Sequence, residues 1–312
     1  MGMREDQEPE ESTEESPEEQ SQAPAEAGDG PDDGFVFEVL SELPAAGGFR
    51  AEVYGQRGDA LYEAGLVERA LQDYREAARL GRSAKWRRRV ADSYFALGLP
   101  QQAYRAYRRA IQLDPKDPES HFFMGEFLQS MSRTFWAIEE FREALRLSGA
   151  DQPYYALKLG EACLAVGLLK DAVEALTLAA RRKPGDSYYR FRLANALIRS
   201  GALEDAVRQL EHAVRLSPCD DYYHALLAMA YKGSSRPHDA LRAIRRAAEI
   251  RPRNRAYRHL VAEACQEAGL TTLSRRFRDL AGRLDEYDAD YVDRLKNKVL
   301  GGAGEWNRPE WM

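Results

Sequence analysis

The sequence repeats itself about every 34 residues, from about residue 51 to residue 286. Seven small residues mark the first half of each unit: Gly58, Ala91, Gly125, Gly160, Ala194, Ala228 and Ala262. A second small residue follows twelve positions later and a third seven positions after that, in all seven units. A short unit of this kind cannot bury its own apolar face, so the units stack on one another. The repeat therefore predicts a solenoid rather than one large globular core.

Each unit has room for two helices with a break between them. A glycine interrupts the apolar pattern midway in five units, at Gly65, Gly98, Gly167, Gly201 and Gly269. A proline follows the second apolar pattern in four units, at Pro115, Pro184, Pro218 and Pro252. A large residue lies four positions after the second small residue in six units, from Tyr74 to Ile244. The small residues predict a helix–turn–helix unit with a close helix–helix approach, and we expect the large residue to fill the gap between neighbouring helix pairs.

This pattern resembles the tetratricopeptide repeat, a 34-residue helix–turn–helix unit with the same order of small and large residues. Leu113-Asp114-Pro115 is close to the typical ending of that repeat. The resemblance implies an all-α, right-handed solenoid of about seven repeats over residues 51–286, followed by a C-terminal capping helix. The seventh unit departs from the pattern, with Ser274 and Arg278 at apolar positions, as a solvent-facing terminal unit requires. The tryptophan usual at the fourth position is absent from every unit.

Charge is unevenly distributed along the chain. Acidic residues outnumber basic ones 51 to 45 overall, but residues 1–33 carry 13 acids and one base, and the remainder is net basic. The first 33 residues also lack aromatic and branched aliphatic side chains, so they cannot bury enough apolar surface to fold. We therefore predict a disordered acidic head over residues 1–33. Residues 34–50 are predicted to form an apolar leading segment.

The end of the chain predicts a helix and a tail. Five apolar residues fall on one helical face: Leu284, Tyr287, Tyr291, Leu295 and Val299. They predict a capping helix over residues 287–300. Residues 301–312 are predicted to be a flexible tail in which Trp306 and Trp311 either fold back on the body or form a motif for another protein. Self-association through this tail is a further hypothesis.

The sequence carries no motif for catalysis. None of the five histidines pairs with another at metal-ligand spacing on one helix, and the three cysteines form no disulfide pattern. We therefore predict that the chain is not an enzyme and needs neither metal nor cofactor. The acidic start is unlike a secretory signal, and no run of about 18 apolar residues exists, which predicts a cytoplasmic protein without membrane insertion.

In the tetratricopeptide family, the second, fifth, ninth and twelfth positions of each first helix line a concave groove. The resemblance thus implies a partner-binding groove that contains Arg88, Phe95, Phe122, Tyr154, Leu157, Tyr188, Phe191, Asn195 and Tyr222. Tandem tyrosines recur every 34 residues, at Tyr154-Tyr155, Tyr188-Tyr189 and Tyr222-Tyr223. We expect the first of each pair to face the groove and the second to fill the place of the missing tryptophan.

These features predict a non-catalytic scaffold or adaptor that holds a peptide or helix of a protein partner in the groove. An alternative is a nucleic-acid or ribonucleoprotein-associated regulator that uses arginine-rich faces such as Arg87–Arg89 and Arg275–Arg283. Acids interleave with these arginines, which favours a solvated outer face over a nucleic-acid site. A third reading is an accessory subunit of a larger complex. The sequence does not identify the partner.

Overall fold

Helices alone build the part of the chain that the computed structural model describes, residues 47–149 and 151–300. In chain order they are α1 (Gly47–Glu63), α2 (Val67–Leu80), α3 (Ala84–Ala96), α4 (Pro100–Leu113), α5 (Pro118–Ser130), α6 (Thr134–Leu147), α7 (Pro153–Ala165), α8 (Leu169–Arg182), α9 (Ser187–Arg199), α10 (Leu203–Leu216), α11 (Asp221–Gly233), α12 (Pro237–Ile250), α13 (Arg255–Glu267), α14 (Thr271–Ala281) and α15 (Glu286–Leu300). Between α1 and α14 each helix packs on the next, so seven helical hairpins stack in sequence. The predicted all-α solenoid is confirmed.

Small residues on the first helix of a hairpin let the second helix approach closely. A methyl group built on Gly160 of α7 would lie 2.5 Å from Cγ of Leu176 on α8. A methyl group built on Gly125 of α5 would likewise lie 2.7 Å from the ring of Phe141 on α6. Leu176 and Phe141 are fully buried. In these two hairpins the large side chain of the second helix packs over the small residue of its own first helix. The sequence had predicted that this side chain fills the gap between neighbouring pairs, so this contact was not expected.

The turn inside each hairpin needs a residue with positive φ. Glycine supplies it in five hairpins, for example Gly98 with φ of 70° and Gly201 with φ of 81°. The third and sixth hairpins have serine at the equivalent place, and Ser132 (φ 58°) and Ser235 (φ 57°) adopt the same left-handed conformation. The turn geometry is thus kept even where the glycine signal is missing from the sequence.

The apolar core is a thin layer that runs along the solenoid. One continuous cluster extends from Ala91 in α3 to Leu295 in α15, and a smaller one surrounds Tyr74 and Trp86 in the first hairpins. Within the described residues, no helix is both long and apolar enough to span a bilayer. The predicted acidic head, the leading segment up to residue 46 and the tryptophan tail lie outside the described residues.

Candidate functional site

The odd-numbered helices α1 to α13 form one face of the solenoid, here called the first-helix face. Helices α3 and α5 contact each other directly across a repeat boundary, as do α7 and α9. Two of the predicted groove residues are the most exposed aromatics in the middle of this face, since Tyr154 on α7 is 44% exposed and Tyr188 on α9 is 43% exposed. Tyr222 on α11 is half-buried.

The second tyrosine of a pair packs inward on the preceding repeat. Tyr155 stacks on Phe122 with ring centroids 4.5 Å apart, and Tyr223 stacks on Phe191 with centroids 5.4 Å apart. Both phenylalanines are buried beneath the tyrosines of the next repeat. Phe122 and Phe191 therefore hold adjacent first helices together, and the tyrosines above them present the accessible surface.

A basic residue accompanies each exposed tyrosine one turn further along its helix. Lys158 lies over the ring of Tyr154 at 5.4 Å and donates to Glu126 of the preceding repeat at 3.0 Å. Arg192 lies over Tyr188 at 5.8 Å and pairs with Glu161 at 2.6 Å. Cations over aromatic faces are favourable and fix the ring in place. The middle of the face is therefore an ordered row of tyrosine, cation and carboxylate.

The pKa of Lys158 reflects this row. Partial burial, the largest single influence, lowers the pKa of its ammonium, but the hydrogen bond to Glu126, the charge of Glu126 and the contact with Tyr154 together outweigh burial, so the pKa lies above its usual value. Lys158 therefore stays charged at neutral pH. The charge is compensated within the protein, so the tyrosine rings are the uncharged exposed part of this row.

The other predicted groove residues have different surroundings. Arg88 is buried and donates to Asp117 and Glu119 of the next repeat, so it joins α3 to the start of α5. Leu157 is buried in the core. Phe95 is partly exposed and meets the ring of Phe127 edge-on. Of these side chains, Phe95 is the accessible one.

Asn195 is half-buried on α9, and its Oδ1 makes no hydrogen bond with the described residues. A buried polar atom without a partner is costly unless something else satisfies it. This amide oxygen is therefore a candidate acceptor for a group from outside the solenoid.

The last helix, α15, crosses the first-helix face and contacts α9, α11 and α13. Its Val292 and Leu295 are buried, and the hydroxyls of Tyr291 and Tyr257 are 2.9 Å apart. The predicted apolar face was wrong at Tyr287, which is 72% exposed. The reason is that α15 lies across three first helices, which places Val292 rather than Tyr287 in the buried stripe.

Two lysines near the end of α15 contact this face. Lys296 donates to Glu263 on α13 at 2.6 Å. Lys298 donates to the hydroxyl of Tyr222 at 2.6 Å and lies over the rings of Tyr222 and Phe191 at 5.2 and 5.4 Å. Tyr222 lacks a basic residue one turn along its own helix, where Leu226 stands. The terminal helix thus supplies to Tyr222 the cation that Lys158 and Arg192 supply to Tyr154 and Tyr188.

A second exposed apolar patch lies away from this face. Phe135 and Trp136 at the start of α6 are 66% and 67% exposed, and Met131 nearby is partly exposed. Sequence reasoning missed this patch. The sequence does mark this patch, because Phe135-Trp136 replaces a polar pair. In most repeats the two residues before the first small residue of the second helix are polar, as in Glu204-Asp205. Trp306 and Trp311, the candidate tail motif, lie outside the described residues.

Three profiles of known families match the sequence, each described as a tetratricopeptide repeat, over residues 84–127, 137–187 and 164–230. Seven helical hairpins of the expected period accompany these matches. Residues 84–127 and 137–230 match the tetratricopeptide repeat. The predicted resemblance is confirmed, and the repeats outside these ranges are recognised from the same small–large packing.

Solved tetratricopeptide repeat structures share this fold at low sequence identity. The C-terminal part of a repeat-containing protein from Cytophaga hutchinsonii is 16% identical, with a TM-score of 0.58, over 78% of this chain and 95% of that chain. PilF of Pseudomonas aeruginosa is 19% identical, with a TM-score of 0.53, over 68% of this chain and 97% of that chain. YrrB, described as having an unusual peptide-binding site, is 20% identical, with a TM-score of 0.53, over 62% and 97%. These likenesses show the fold alone. The comparison with curated proteins finds no match.

Proposed function

We propose that this protein is a non-catalytic interaction scaffold that holds a helical segment of a protein partner on the first-helix face of repeats two to five. The observation that carries the proposal is the placement of α15. A helix of the chain itself lies across the first helices of repeats five to seven, with a lysine on Tyr222 and apolar side chains in the core. The face is thus shaped to accept a helix, and its unoccupied part carries the same tyrosine row.

The surface beside α15 has the composition of an interaction site. Tyr154, Tyr188 and Phe95 offer large, rotationally restricted aromatic area, which is typical of residues that dominate binding energy. The neighbouring charges are paired with each other, as Lys158 is with Glu126 and Arg192 with Glu161. We therefore expect the partner to be an amphipathic helix whose apolar side chains cover the tyrosines and whose polar groups reach Asn195. The peptide-binding site named for the YrrB structure is in keeping with this assignment.

The test is affinity purification of the full chain and of the double variant Tyr154→Ala/Tyr188→Ala. Both tyrosines are exposed, so the variant should keep its helicity while partner recovery falls by about tenfold or more, as expected for aromatic hot spots. Tyr104→Ala is the matched control, because Tyr104 is similarly exposed but lies on the second helix α4. Recovery of the same partners by the double variant at wild-type yield would refute the proposal.

A further inference from the structure

Five arginines line one cleft on the side of the solenoid built by second helices. The cleft lies between α2, α3 and α4 and has a volume of about 410 Å³. Its basic residues are Arg75 and Arg79 on α2, Arg87 on α3, and Arg105 and Arg109 on α4. Ala78, Val90 and Ala106 form an apolar floor, and Tyr94 and Gln102 add polar groups. The volume falls within the range of ordinary small-molecule sites, about 300–1,000 Å³.

The cleft is positive because its arginines have almost no acidic partners. Arg79 pairs with Glu76 at 2.8 Å, and Arg75 donates to the uncharged hydroxyl of Tyr94. The remaining three, Arg87, Arg105 and Arg109, have no ion pair or hydrogen bond within the described residues. The lining thus holds five guanidinium groups, and together with the Glu76 carboxylate beside Arg79 the cleft has a net charge of four positive units.

Several exposed arginines of other second helices lie within ion-pair distance of a carboxylate. On α6, Arg142 pairs with Glu139 at 2.7 Å and Arg146 with Glu143 at 2.5 Å. Arg246 on α12 pairs with Glu249 at 3.1 Å. In the cleft, by contrast, Arg79 alone among the five arginines has a carboxylate partner within the described residues.

Comparison with α6 shows that acidic residues are tolerated at two of the cleft sites. Arg105 and Arg109 stand 34 positions before Glu139 and Glu143, so equivalent sites on α4 and α6 carry opposite charges. Arg75 and Arg79, and likewise Arg105 and Arg109, are like-charge pairs one helical turn apart, a spacing that destabilises a helix. Carboxylates at these sites are compatible with the fold, yet the cleft has arginines instead. An anion bound in the cleft would offset this repulsion between the arginines.

We propose that this cleft binds a compact ligand with two or three linked phosphate groups, the polyphosphate class. Guanidinium groups bind phosphate oxygens in a bidentate manner, which suits arginine better than lysine. A phosphate group carries about −1.5 to −2 charges at neutral pH, so two or three linked groups match the lining charge.

A nucleic acid fits this cleft less well. The one aromatic ring in the lining, Tyr94, already has the Arg75 guanidinium over its face at 5.4 Å, which leaves no free platform for base stacking. The compensated arginines of α6 and α12 also interrupt any basic track along the solenoid. A small polyanion needs neither a platform nor a track.

The experiment is calorimetric titration of the full chain with inorganic tripolyphosphate at fixed ionic strength. One molecule should bind per chain. The double variant Arg105→Glu/Arg109→Glu copies the charges of α6, so it should fold normally and bind at least about tenfold more weakly, because charge-assisted hydrogen bonds are lost. The matched control is Arg242→Glu/Arg246→Glu, which makes the same change at the equivalent sites of α12 and should alter affinity by less than about twofold. Tyr154→Ala/Tyr188→Ala should bind tripolyphosphate as the wild type does, which separates this proposal from the scaffold function.

Four results would overturn the proposal. The first three are no measurable binding of tripolyphosphate, equal binding of sulfate, and equal weakening of binding by the α4 and α12 variants. The fourth is tighter binding of a doubly phosphorylated peptide or a single-stranded RNA oligonucleotide, if the α4 variant abolishes that binding. The last result would reassign the cleft to another ligand class.

Discussion

The ammonium group of Lys298 donates a hydrogen bond of 2.6 Å to the hydroxyl of Tyr222, across 76 positions of sequence. This contact fastens the end of α15 to the first-helix face. It also places a cation over Tyr222, as Lys158 and Arg192 do for the tyrosines of the two preceding repeats. The contact therefore ties the terminal helix to the proposed binding surface.

Lys298→Ala should loosen α15 without unfolding the solenoid. The hydrogen bond and the cation–π contact together stabilise docking by about 1–2 kcal/mol, so amide exchange in α15 should accelerate by roughly five- to thirtyfold. Hydrogen–deuterium exchange with mass spectrometry measures this directly. Lys170→Ala on α8 removes an exposed lysine and should leave α15 unchanged. Unaltered exchange of α15 in Lys298→Ala would show that Tyr222 does not hold it.

Ser235→Gly should stabilise the protein. Ser235 has φ of 57°, a conformation that costs about 1–2 kcal/mol for a residue with a side chain, whereas glycine adopts it freely. The extra freedom of glycine in the unfolded chain offsets about 0.4–1 kcal/mol of this gain, so the net increase is about 0.5–1 kcal/mol. Urea unfolding measures the change. Ser234→Gly is the control, because Ser234 has φ of −88° and should gain nothing. A loss of stability in Ser235→Gly would contradict the turn assignment.

His121 should make stability depend on pH. Its Nδ1 lies 2.7 Å from the Glu140 carboxylate, and this hydrogen bond, opposed by partial burial, raises the pKa of the imidazole above its usual 6.5. The stabilisation is therefore fully present below about pH 6.5 and is lost as pH rises through the raised pKa. The stability difference between wild type and His121→Gln should be larger at about pH 6 than at about pH 9 in urea unfolding.

The control for this titration is His212→Gln. His212 lies on α10 near Arg215, and burial together with Arg215 lowers the pKa of this imidazole. His212→Gln should therefore keep the pH dependence that His121 contributes. A wild-type pH profile in His121→Gln would assign that dependence to other groups.

One of the three thiols should react in the folded protein. Cys219 is exposed, whereas Cys163 and Cys265 are buried. Burial raises the pKa of Cys163 to about 11, which leaves almost no reactive thiolate at neutral pH. A colorimetric thiol reagent should therefore label one cysteine per native chain and all three in denaturant, and none in native Cys219→Ser. Rapid labelling of two or three thiols in the native protein would contradict the buried placement of Cys163 and Cys265.

The repeat unit itself could be predicted from sequence because each repeat uses the same local physics. The small residue at Gly160 recurs in seven units and the large residue at Leu176 in six, so periodicity alone predicted the helical hairpin, while the contact between the two residues is seen in the structure. The turn at Ser235 was less visible, because the left-handed conformation there is imposed by the hairpin rather than favoured by serine. The inward placement of Tyr155 and Tyr223 was expected from the tandem tyrosines, but their stacking on Phe122 and Phe191 of the preceding repeat was not.

The docking of α15 and the arginine cleft could not be predicted in the same way. The contact between Lys298 and Tyr222 joins two residues that no periodicity relates, so helical amphipathicity predicted the helix but not its position across three repeats. The cleft combines Arg75, Arg87 and Arg109 from three helices, and its charge depends on which arginines lack a carboxylate in space. Pairing of that kind is a property of the folded surface and is not readable from residue spacing.

The most direct measurement of the central claim is site-specific photo-crosslinking from position 154 and from position 188 of the full chain, followed by mass spectrometry of the joined peptides. A partner helix on the first-helix face should be captured from both positions. The crosslinked residues of the partner should belong to a single amphipathic segment and lie on one face of its helix. Position 104 on α4 should capture little of it. Crosslinks that arise equally from position 104, or that reach no common segment from positions 154 and 188, would contradict the account.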